Sequence, residues 1–318
     1  MSKYLPCSPG ASEEARSLLD YLAGLRGNGI LLGQHTQTMA QEEIAYIFDV
    51  TEKYPALCGF ELLAYSPNIN YSESTRECLT EVQENKNTLE KALLWAQRKG
   101  IITFTWHWFS PLYGTDKAFY QRNTPFDARL TLEEGTPERK AFISDMDAMA
   151  ELLKPFCQKR VPILWRPFHE ANGDWFWWGS HGPQTARSLW LDMFERYNNV
   201  HKLNNLIWVW NSPLPEGYVG DEFCDVISRD MYLPVHTHTD YREGYDELIK
   251  ITAADKIAAL GETGPVPGLS ALSRTRVPWT WFMTWSRDVC YKMTSREELK
   301  AAYNSDYGVT LDKLPALY

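Results

Sequence analysis

The sequence predicts an α/β fold of the (β/α)8 type, a TIM barrel, formed by a single domain over residues 1–318. Eight apolar runs of strand length alternate with helical patterns along the chain. Each run is almost continuously apolar, as the strands of a parallel sheet must be when helices cover it. The length of 318 residues also fits one barrel, which typically needs about 250 residues or more.

The eight predicted strands are short and spread over the whole chain. They cover residues 29–32, 56–63, 101–106, 161–165, 206–210, 225–228, 257–260 and 279–285. An open, doubly wound sheet is the alternative arrangement of the same elements. The turn after the first run, residues 33–38, reads GQHTQT and lacks the glycine-rich phosphate loop typical of that fold, which favours the barrel.

The predicted helices lie between these runs. Ser12 is a suitable N-cap for a helix over residues 12–25, with Glu13 and Glu14 in its first turn. This helix precedes the first strand, and we expect it to cap the bottom of the barrel. Apolar residues at helical spacing predict further helices around residues 89–96, 142–156, 186–193 and 245–252. The connections after the fifth and seventh runs are too short or irregular to predict helices there.

Composition and charge argue against several classes of protein. The net charge of −9 disfavours nucleic acid or an anionic membrane surface as a partner. No apolar run approaches the roughly 20 residues of a membrane span. The first ten residues contain no apolar signal-peptide segment, so a cytoplasmic location is expected, or an extracellular one if a signal has been removed. The cysteines form no C-x-x-C pair, which predicts free thiols at positions 7, 58, 78, 157, 224 and 290.

Aromatic residues are unusually abundant. The chain contains 13 Trp, 17 Tyr and 13 Phe, which together make 14% of its residues. Flat apolar rings with a polar edge suit the faces of pyranose sugars, and tryptophan seldom buries completely in a core. A tryptophan-rich core is the alternative explanation, and composition alone leaves both open.

Polar side chains stand where the predicted strands end. In a (β/α)8 barrel the active site lies at the carboxyl ends of the strands, so these residues are the candidates for chemistry. In chain order they are His35, Glu61, Tyr65, His107, Trp108, Arg166, His169, Glu170, Asn211, Asp230, Tyr232, Glu262, Trp285 and Arg287.

Glu170 and Glu262 are the best placed of these residues. They lie far apart in sequence, so only the fold can bring them together. Glycoside hydrolysis needs such a pair, one acid to protonate the leaving oxygen and one carboxylate to act on the anomeric carbon. The aromatic residues 175–178 follow Glu170 and should raise its pKa by desolvation. Arg166 is expected to keep a neighbouring carboxylate ionised, which suits a nucleophile.

The segment around Glu170, WRPFHEANGDWFWWG at residues 165–179, closely resembles the acid/base motif of glycoside hydrolase family 26. That family is best known for endo-β-1,4-mannanases. The resemblance continues at residues 205–208, 230–232, 261–264 and 281–285, and covers most of the chain from residue 33 to the last strand. It implies a (β/α)8 barrel, retention of anomeric configuration, and no metal or other cofactor. By motif position, Glu170 is expected to be the acid/base and Glu262 the nucleophile.

The resemblance also implies roles for residues around this pair. His169, Trp175 and His107 would line the sugar site, and Trp285 would be the stacking platform beneath it. Tyr232 would donate a hydrogen bond to the nucleophile, and Arg166 would orient or ionise it. The implied substrate is a β-mannan, glucomannan or galactomannan cleaved at internal β-1,4 bonds by a monomeric enzyme. Mixed-linkage β-glucan or β-1,3-xylan as substrate, and release of mannooligosaccharides from a chain end, remain alternatives.

Two positions depart from the pattern of the family. Many members have aspartate where this chain has Glu61, and the extra methylene is expected to reshape the wall of the cleft. Ser286 separates Trp285 from Arg287, whereas better-known members place an arginine directly after the tryptophan. These departures concern contacts with the sugar and leave the proposed chemistry unchanged.

Two other classes of function compete with this interpretation. A metal-dependent hydrolase would use His35, His107 and His169, but it leaves the paired glutamates unexplained. A carbohydrate-binding module without catalysis has no need of two facing acids. The His236-Thr-His238 pair also suggests a zinc ligand set. It follows a proline in a loop and has no carboxylate or cysteine nearby in sequence, so we interpret it as a solvated loop.

Overall fold

Eight parallel strands form a closed barrel in the computed structural model, which describes residues 4–286 and 292–318. Arg287 and Cys290 lie outside the described residues. The strands are β1 (Ile30–Thr36), β2 (Leu57–Glu61), β3 (Ile101–Thr105), β4 (Ile163–Arg166), β5 (Leu206–Asn211), β6 (Val226–Met231), β7 (Ile257–Thr263) and β8 (Trp279–Thr284).

The barrel closes because β1 pairs in parallel with both β2 and β8. This closure confirms the predicted fold class and excludes the open doubly wound sheet. A ninth strand, β9 (Gly308–Val309), pairs with the first two residues of β1. It occupies the part of β1 that precedes the residues paired with β2.

Helices connect most of the strands. They are α1 (Glu13–Leu25), α2 (Glu42–Thr51), α3 (Arg76–Glu84), α4 (Thr88–Gln97), α5 (Pro137–Gln158), α6 (Pro183–Glu195), α7 (Arg242–Leu248), α8 (Leu269–Thr275) and α9 (Arg296–Tyr303). The five helices predicted from apolar spacing correspond to α1, α4, α5, α6 and α7. The sequence patterns missed α2, α3, α8 and α9. Within the described residues, no helix is long and apolar enough to cross a lipid bilayer.

Three strands continue by three or more residues beyond the ends of their predicted apolar runs, and β4 and β5 each continue by one. β1 extends to Thr36, β6 to Met231 and β7 to Thr263. His35, Asp230 and Glu262 therefore lie on the last residues of strands, and our placement of them after the strands was wrong by a few residues. The hydrogen bonds between paired strands join backbone groups only, so polar side chains at the carboxyl end of the barrel do not end the pairing. A prediction based on apolar side chains therefore ends each of these strands too early.

The N-terminal helix α1 covers the end of the barrel opposite the polar side chains. The Ser12 hydroxyl accepts a hydrogen bond from the backbone N–H of Ala15 and caps this helix. Leu18, Leu19 and Leu22 then pack into one apolar cluster with residues from the beginnings of the strands. This face of α1 thereby seals the barrel interior from solvent at that end, which leaves the other end for the site.

Most of the tryptophans belong to the core. Eleven of the thirteen are buried: Trp95, Trp106, Trp108, Trp165, Trp177, Trp178, Trp190, Trp208, Trp210, Trp279 and Trp281. Trp175 is 43% exposed and Trp285 is partly exposed at the end of β8. The tryptophan-rich core therefore accounts for most of the unusual composition, and two tryptophans remain accessible. The five cysteines of the described residues are free thiols, as predicted.

Candidate active site

The candidate site lies at the carboxyl end of the barrel, and Glu262 on β7 is at its centre. The hydroxyl of Tyr232, which follows β6, donates a hydrogen bond to Oε2 of Glu262 at 2.5 Å. The guanidinium of Arg166 donates to the other carboxylate oxygen. These two contacts fix both oxygens of Glu262 and place the positive charge of Arg166 directly beside its carboxylate.

Arg166 joins Glu262 to a third acid, Asp230, in a buried network. Its Nη1 lies 3.0 Å from Oδ2 of Asp230, and its Nη2 also donates to the Thr105 hydroxyl at 3.0 Å. Burial, followed by the negative charge of Glu262, raises the pKa of Asp230, while Arg166 and Asn211 act in the opposite direction. The guanidinium is thus directed at the carboxylates, in the position required to orient or ionise Glu262.

Gly261 leaves the space that this network needs. A Cβ at this position would lie 2.5 Å from Oδ1 of Asp230 and 2.8 Å from Nδ2 of Asn211. Contacts this short do not occur between real Cβ atoms and polar side chains, so any larger residue would displace the acid or the amide. The glycine that precedes Glu262 in the sequence is therefore explained by close packing.

Glu170 stands on a tight turn directly after β4. Its own φ is +52° and that of Phe168 is +49°, so two residues with side chains adopt the left-handed conformation. Such conformations cost about 1–3 kcal/mol each and persist only where surrounding contacts enforce them. The Asn211 side chain accepts a hydrogen bond from the Glu170 backbone N–H at 2.6 Å, and Trp178 donates to the carbonyl of His169 at 2.9 Å.

The Glu170 carboxyl lies in a setting that favours its protonated form. Burial raises its pKa, and the negative charge of Asp230 raises it further. The indole N–H of Trp175 donates to Oε2 of Glu170 at 2.7 Å. This hydrogen bond and the positive charges of Arg166 and His107 lower the pKa of Glu170, but by less than burial and Asp230 raise it. The outcome is a raised pKa, which is the property a general acid requires at neutral pH.

The two glutamates face each other across a short gap. A carboxylate oxygen of Glu170, one of Asp230 and one of Glu262 all lie within 4.8 Å of one another. Carboxyl groups stand about 5–5.5 Å apart in retaining glycosidases and about 6.5–9.5 Å apart in inverting ones. The short approach of the two carboxylates is closer to the spacing of the retaining enzymes than to that of the inverting ones.

His107 and His169 form the wall beside the acids. Nδ1 of His107 lies 2.7 Å from Oε2 of Glu61, and the two Nε2 atoms of His107 and His169 are 3.2 Å apart. Burial disfavours a charge on His107, but Glu61 outweighs it and raises the pKa of this imidazole. Burial, followed by the charge of His107, lowers the pKa of His169. A charged and a neutral imidazole can share one proton between their facing nitrogens.

Glu61 does not shape the wall of the cleft, contrary to our expectation. It is fully buried and accepts hydrogen bonds from the backbone N–H of Leu63 at 2.9 Å and of His107 at 2.8 Å, besides its contact with the imidazole. Its carboxylate therefore holds the turn after β3 and the orientation of His107 from beneath. The side chain of Glu61 is one methylene longer than that of aspartate, so its carboxylate reaches further from β2 towards His107.

Two accessible tryptophans and Tyr232 complete the cleft. The Trp285 ring stacks on the imidazole of His35, with ring centroids 3.8 Å apart and planes inclined by 21°. His35 is buried, and burial followed by the charges of Arg166 and His107 lowers its pKa, so a neutral ring supports Trp285. Trp175 and Tyr232 are 43% and 48% exposed, which leaves their outer faces open to a ligand.

Four residues in the site make contacts that the sequence did not predict. Asn211 holds Glu170, Asp230 pairs with Arg166, Glu61 holds His107, and His35 supports Trp285. Their position at strand ends was the available signal, and it marked all four as candidates. Their partners could not be predicted, because each contact joins two different strands or loops.

The histidines of the site do not form a metal centre. Among residues 4–286 and 292–318, only two groups bring three potential ligand atoms together: Glu170 with Asp230 and Glu262, and His236 with His238 and Glu298. His35, His107 and His169 are not such a group. Arg166 already supplies the positive charge between Asp230 and Glu262.

A pair of carboxyl groups at this spacing is the arrangement that retaining glycoside hydrolases use. Residues 7–313 match the sequence family described as glycosyl hydrolase family 26, and the chain belongs to that family. The resemblance found in the sequence is thereby confirmed.

Related proteins are named as mannanases. The chain is 37% identical, over 96% of its length, to a mannan endo-1,4-β-mannosidase from Thermothelomyces thermophilus, and 30% identical to mannan endo-1,4-β-mannosidase A from a Piromyces species. It spans 62% and 50% of the lengths of these relatives.

Two crystal structures share the fold. One is a Podospora anserina β-(1,4)-mannanase, with a TM-score of 0.89 and 34% identity over 99% of this chain and 70% of the other. The second is a β-mannanase from a symbiotic protist of the termite Reticulitermes speratus, complexed with a gluco-manno-oligosaccharide. It has a TM-score of 0.88 and 29% identity over 99% and 98% of the two chains.

Proposed function

We propose that this chain is the catalytic unit of an endo-β-1,4-mannanase that acts with retention of configuration. The observation that carries the proposal is the Glu170–Glu262 pair. An oxygen of each carboxylate lies within 4.8 Å of the other. Glu170 is partly buried and its pKa is raised, whereas Glu262 is buried and held by Arg166 and Tyr232. Two carboxyl groups with such different surroundings suit an acid and a nucleophile.

The first step forms a glycosyl–enzyme ester. An oxygen of Glu262 attacks the anomeric carbon while the bond from that carbon to the glycosidic oxygen breaks. Glu170 gives its proton to the departing oxygen, which becomes the free hydroxyl of the leaving sugar. Asn211 positions the backbone of Glu170 for this transfer, and Tyr232 keeps the second oxygen of Glu262 in place.

The second step hydrolyses the ester. Glu170, now a carboxylate, removes a proton from a water molecule that enters where the leaving sugar stood. The resulting hydroxyl attacks the anomeric carbon, and the bond to Glu262 breaks. Glu170 regains its proton and Glu262 its negative charge. The two inversions together give the retained configuration.

The proposed substrate is mannan, glucomannan or galactomannan. The two relatives described above carry the name mannan endo-1,4-β-mannosidase, and the structure of a 29% identical β-mannanase contains a gluco-manno-oligosaccharide. Trp285 offers a supported aromatic face for one sugar, and His107, His169 and Trp175 surround the same space. Both carboxylates belong to one barrel, so the proposal treats the enzyme as a monomer, which sedimentation velocity can test.

The first experiment measures the reducing ends released from galactomannan, glucomannan, mixed-linkage β-glucan and β-1,3-xylan, with Glu262→Ala as the blank. We expect activity on both mannans that the variant lacks. Activity only on the glucan or the xylan would keep the mechanism and refute the substrate. A wild-type chain inactive on all four would refute the proposed function.

A second experiment separates the acid from the nucleophile. Glu170→Ala should lose most of its activity on mannan and keep much of it on an aryl β-mannoside with an activated leaving group, because that group departs without a proton. Glu262→Ala should lose activity on both substrates. An equal loss on both substrates in Glu170→Ala would overturn the assignment of the acid.

A further inference from the structure

Three potential metal ligands meet on the surface outside the catalytic site. His236 and His238 lie in the loop that follows β6, and Glu298 lies in the first turn of α9. Nδ1 of His236 is 2.9 Å from Oε2 of Glu298, and Nε2 of His238 is 2.9 Å from Oε1. The fold thus supplies the carboxylate that the sequence around the His-x-His pair lacks.

The tautomer of His238 is fixed by the backbone. Its Nδ1 lies 2.5 Å from the carbonyl oxygen of Val266, which can only accept, so Nδ1 carries the proton. In a neutral ring Nε2 then presents a lone pair. This atom is buried, has no hydrogen-bond partner, and lies next to a carboxylate oxygen. Two acceptors at this distance repel each other unless a proton or a metal ion lies between them.

Glu298 is held in place by the start of its own helix. The Ser295 N–H donates to Oε2 of Glu298 at 2.7 Å as part of a capping box at the start of α9. The two carboxylate oxygens are thereby directed at the two imidazoles, Oε2 at His236 and Oε1 at His238.

We propose that His236, His238 and Glu298 bind a divalent transition-metal ion of the zinc type. Two imidazoles and one carboxylate form a known zinc ligand set, with water in the remaining position. Bond lengths near 2.0–2.1 Å place neighbouring ligand atoms of a tetrahedral site about 3.3 Å apart. The two histidine–glutamate separations of 2.9 Å therefore need to open by only a few tenths of an ångström, and the two imidazole nitrogens already lie within 4.8 Å of each other. The hydrogen bond from His238 to Val266 is the outer contact that zinc-binding histidines typically make.

The ion would join two segments at the catalytic end of the barrel. The histidine loop begins after Tyr232, which holds Glu262, and α9 follows the last strand. The backbone N–H of His236 already donates to the carbonyl of Met293 at 3.0 Å. A metal bridge would therefore stabilise the segment that carries Tyr232 without contact with the reacting atoms. The proposal is independent of the proposed hydrolase function.

The test uses the untagged chain, stripped with a chelator that is then removed by dialysis. Isothermal titration with ZnCl₂ should give one site per chain. Zinc at about 100 times the measured dissociation constant should raise the melting temperature by about 5 °C. Mg²⁺ should give neither signal, because imidazole ligands favour zinc over hard cations.

Matched variants identify the site. Glu298→Gln removes the charged ligand but keeps a residue that can complete the capping box, so the helix should remain folded. His238→Asn removes the buried nitrogen. His201→Asn is the control, since His201 belongs to a separate ion pair with Asp147. We expect the first two variants to lose the zinc signal and the control to keep it.

Three results would overturn the proposal. The wild-type chain could bind no zinc, which would leave an ordinary histidine–glutamate ion pair. Zinc binding could persist unchanged in both His238→Asn and Glu298→Gln. It could instead disappear in Glu262→Gln while surviving in those two variants, which would place the ion on the catalytic carboxylates.

Discussion

The contact between Trp175 and Glu170 gives a sharp test of the acid. The indole N–H donates to Oε2 of Glu170 at 2.7 Å and favours the ionised carboxylate, so it lowers a pKa that burial raises. Trp175→Phe removes this donor and keeps an aromatic ring. The pKa of Glu170 should then rise further. A general acid is active only while protonated, and activity is lost as the pH rises through its pKa.

The size of the shift follows from the hydrogen bond. A bond to a charged group contributes about 1.5–3 kcal/mol when buried. Trp175 is 43% exposed, so water replaces part of the lost donor. Halving the contribution leaves about 0.7–1.5 kcal/mol, which corresponds to roughly half to one pKa unit. The alkaline limb of kcat/KM should therefore move to higher pH by that amount.

The assay is the pH dependence of kcat/KM on a soluble mannooligosaccharide, since this constant reports the free enzyme. Trp177→Phe is the matched control, because its indole N–H bonds the carbonyl of Trp108 and does not contact Glu170. The reasoning fails if the alkaline limb of Trp175→Phe stays in place or moves to lower pH. It also fails if Trp177→Phe shows the same shift.

Three further variants probe the network beneath the acids. Tyr232→Phe should lower kcat/KM on mannan about tenfold or more, because Glu262 loses a hydrogen bond of about 1.5–3 kcal/mol; an unchanged value would contradict this. Arg166→Met should reduce the free energy of unfolding in urea by about 3–5 kcal/mol at pH 7, since it leaves buried carboxylates unpaired. This deficit should shrink as the pH falls and the carboxylates are protonated; a pH-independent deficit would argue against the charge explanation. Gly261→Ala should lower the melting temperature by several degrees, whereas Gly24→Ala, where a Cβ meets nothing within 4 Å, should leave it equal or higher.

The proposed chemistry depends on the different contacts that the barrel gives to its acids. Glu170 and Asp230 both have raised pKa values with burial as the first cause, but only Asp230 is paired with Arg166. Asp230 therefore remains bound in the network beneath Glu262. Glu170 faces the accessible Trp175 and keeps a proton that it can deliver to a ligand.

Much of the fold could be predicted because its signals are local. Each barrel strand is buried on both sides and therefore appears as a short apolar run in the chain. Helices with an apolar stripe, such as α5, were equally visible. The polar ends of β1, β6 and β7 could not be predicted in this way, because backbone pairing continues past the last apolar side chain. Helix α8, with seven residues, is too short to show a periodic pattern.

The sequence by itself determined the barrel, the two glutamates and the residues at the strand ends, because strand periodicity and residue type are properties of neighbouring positions. Only the tertiary structure decided which of these residues meet. It placed an oxygen of Glu170 within 4.8 Å of one of Glu262, paired Asp230 with Arg166, and buried most of the tryptophans. It also brought Glu298 into contact with His236 and His238. Distances and burial depend on the closure of the barrel, which joins segments from across the whole chain.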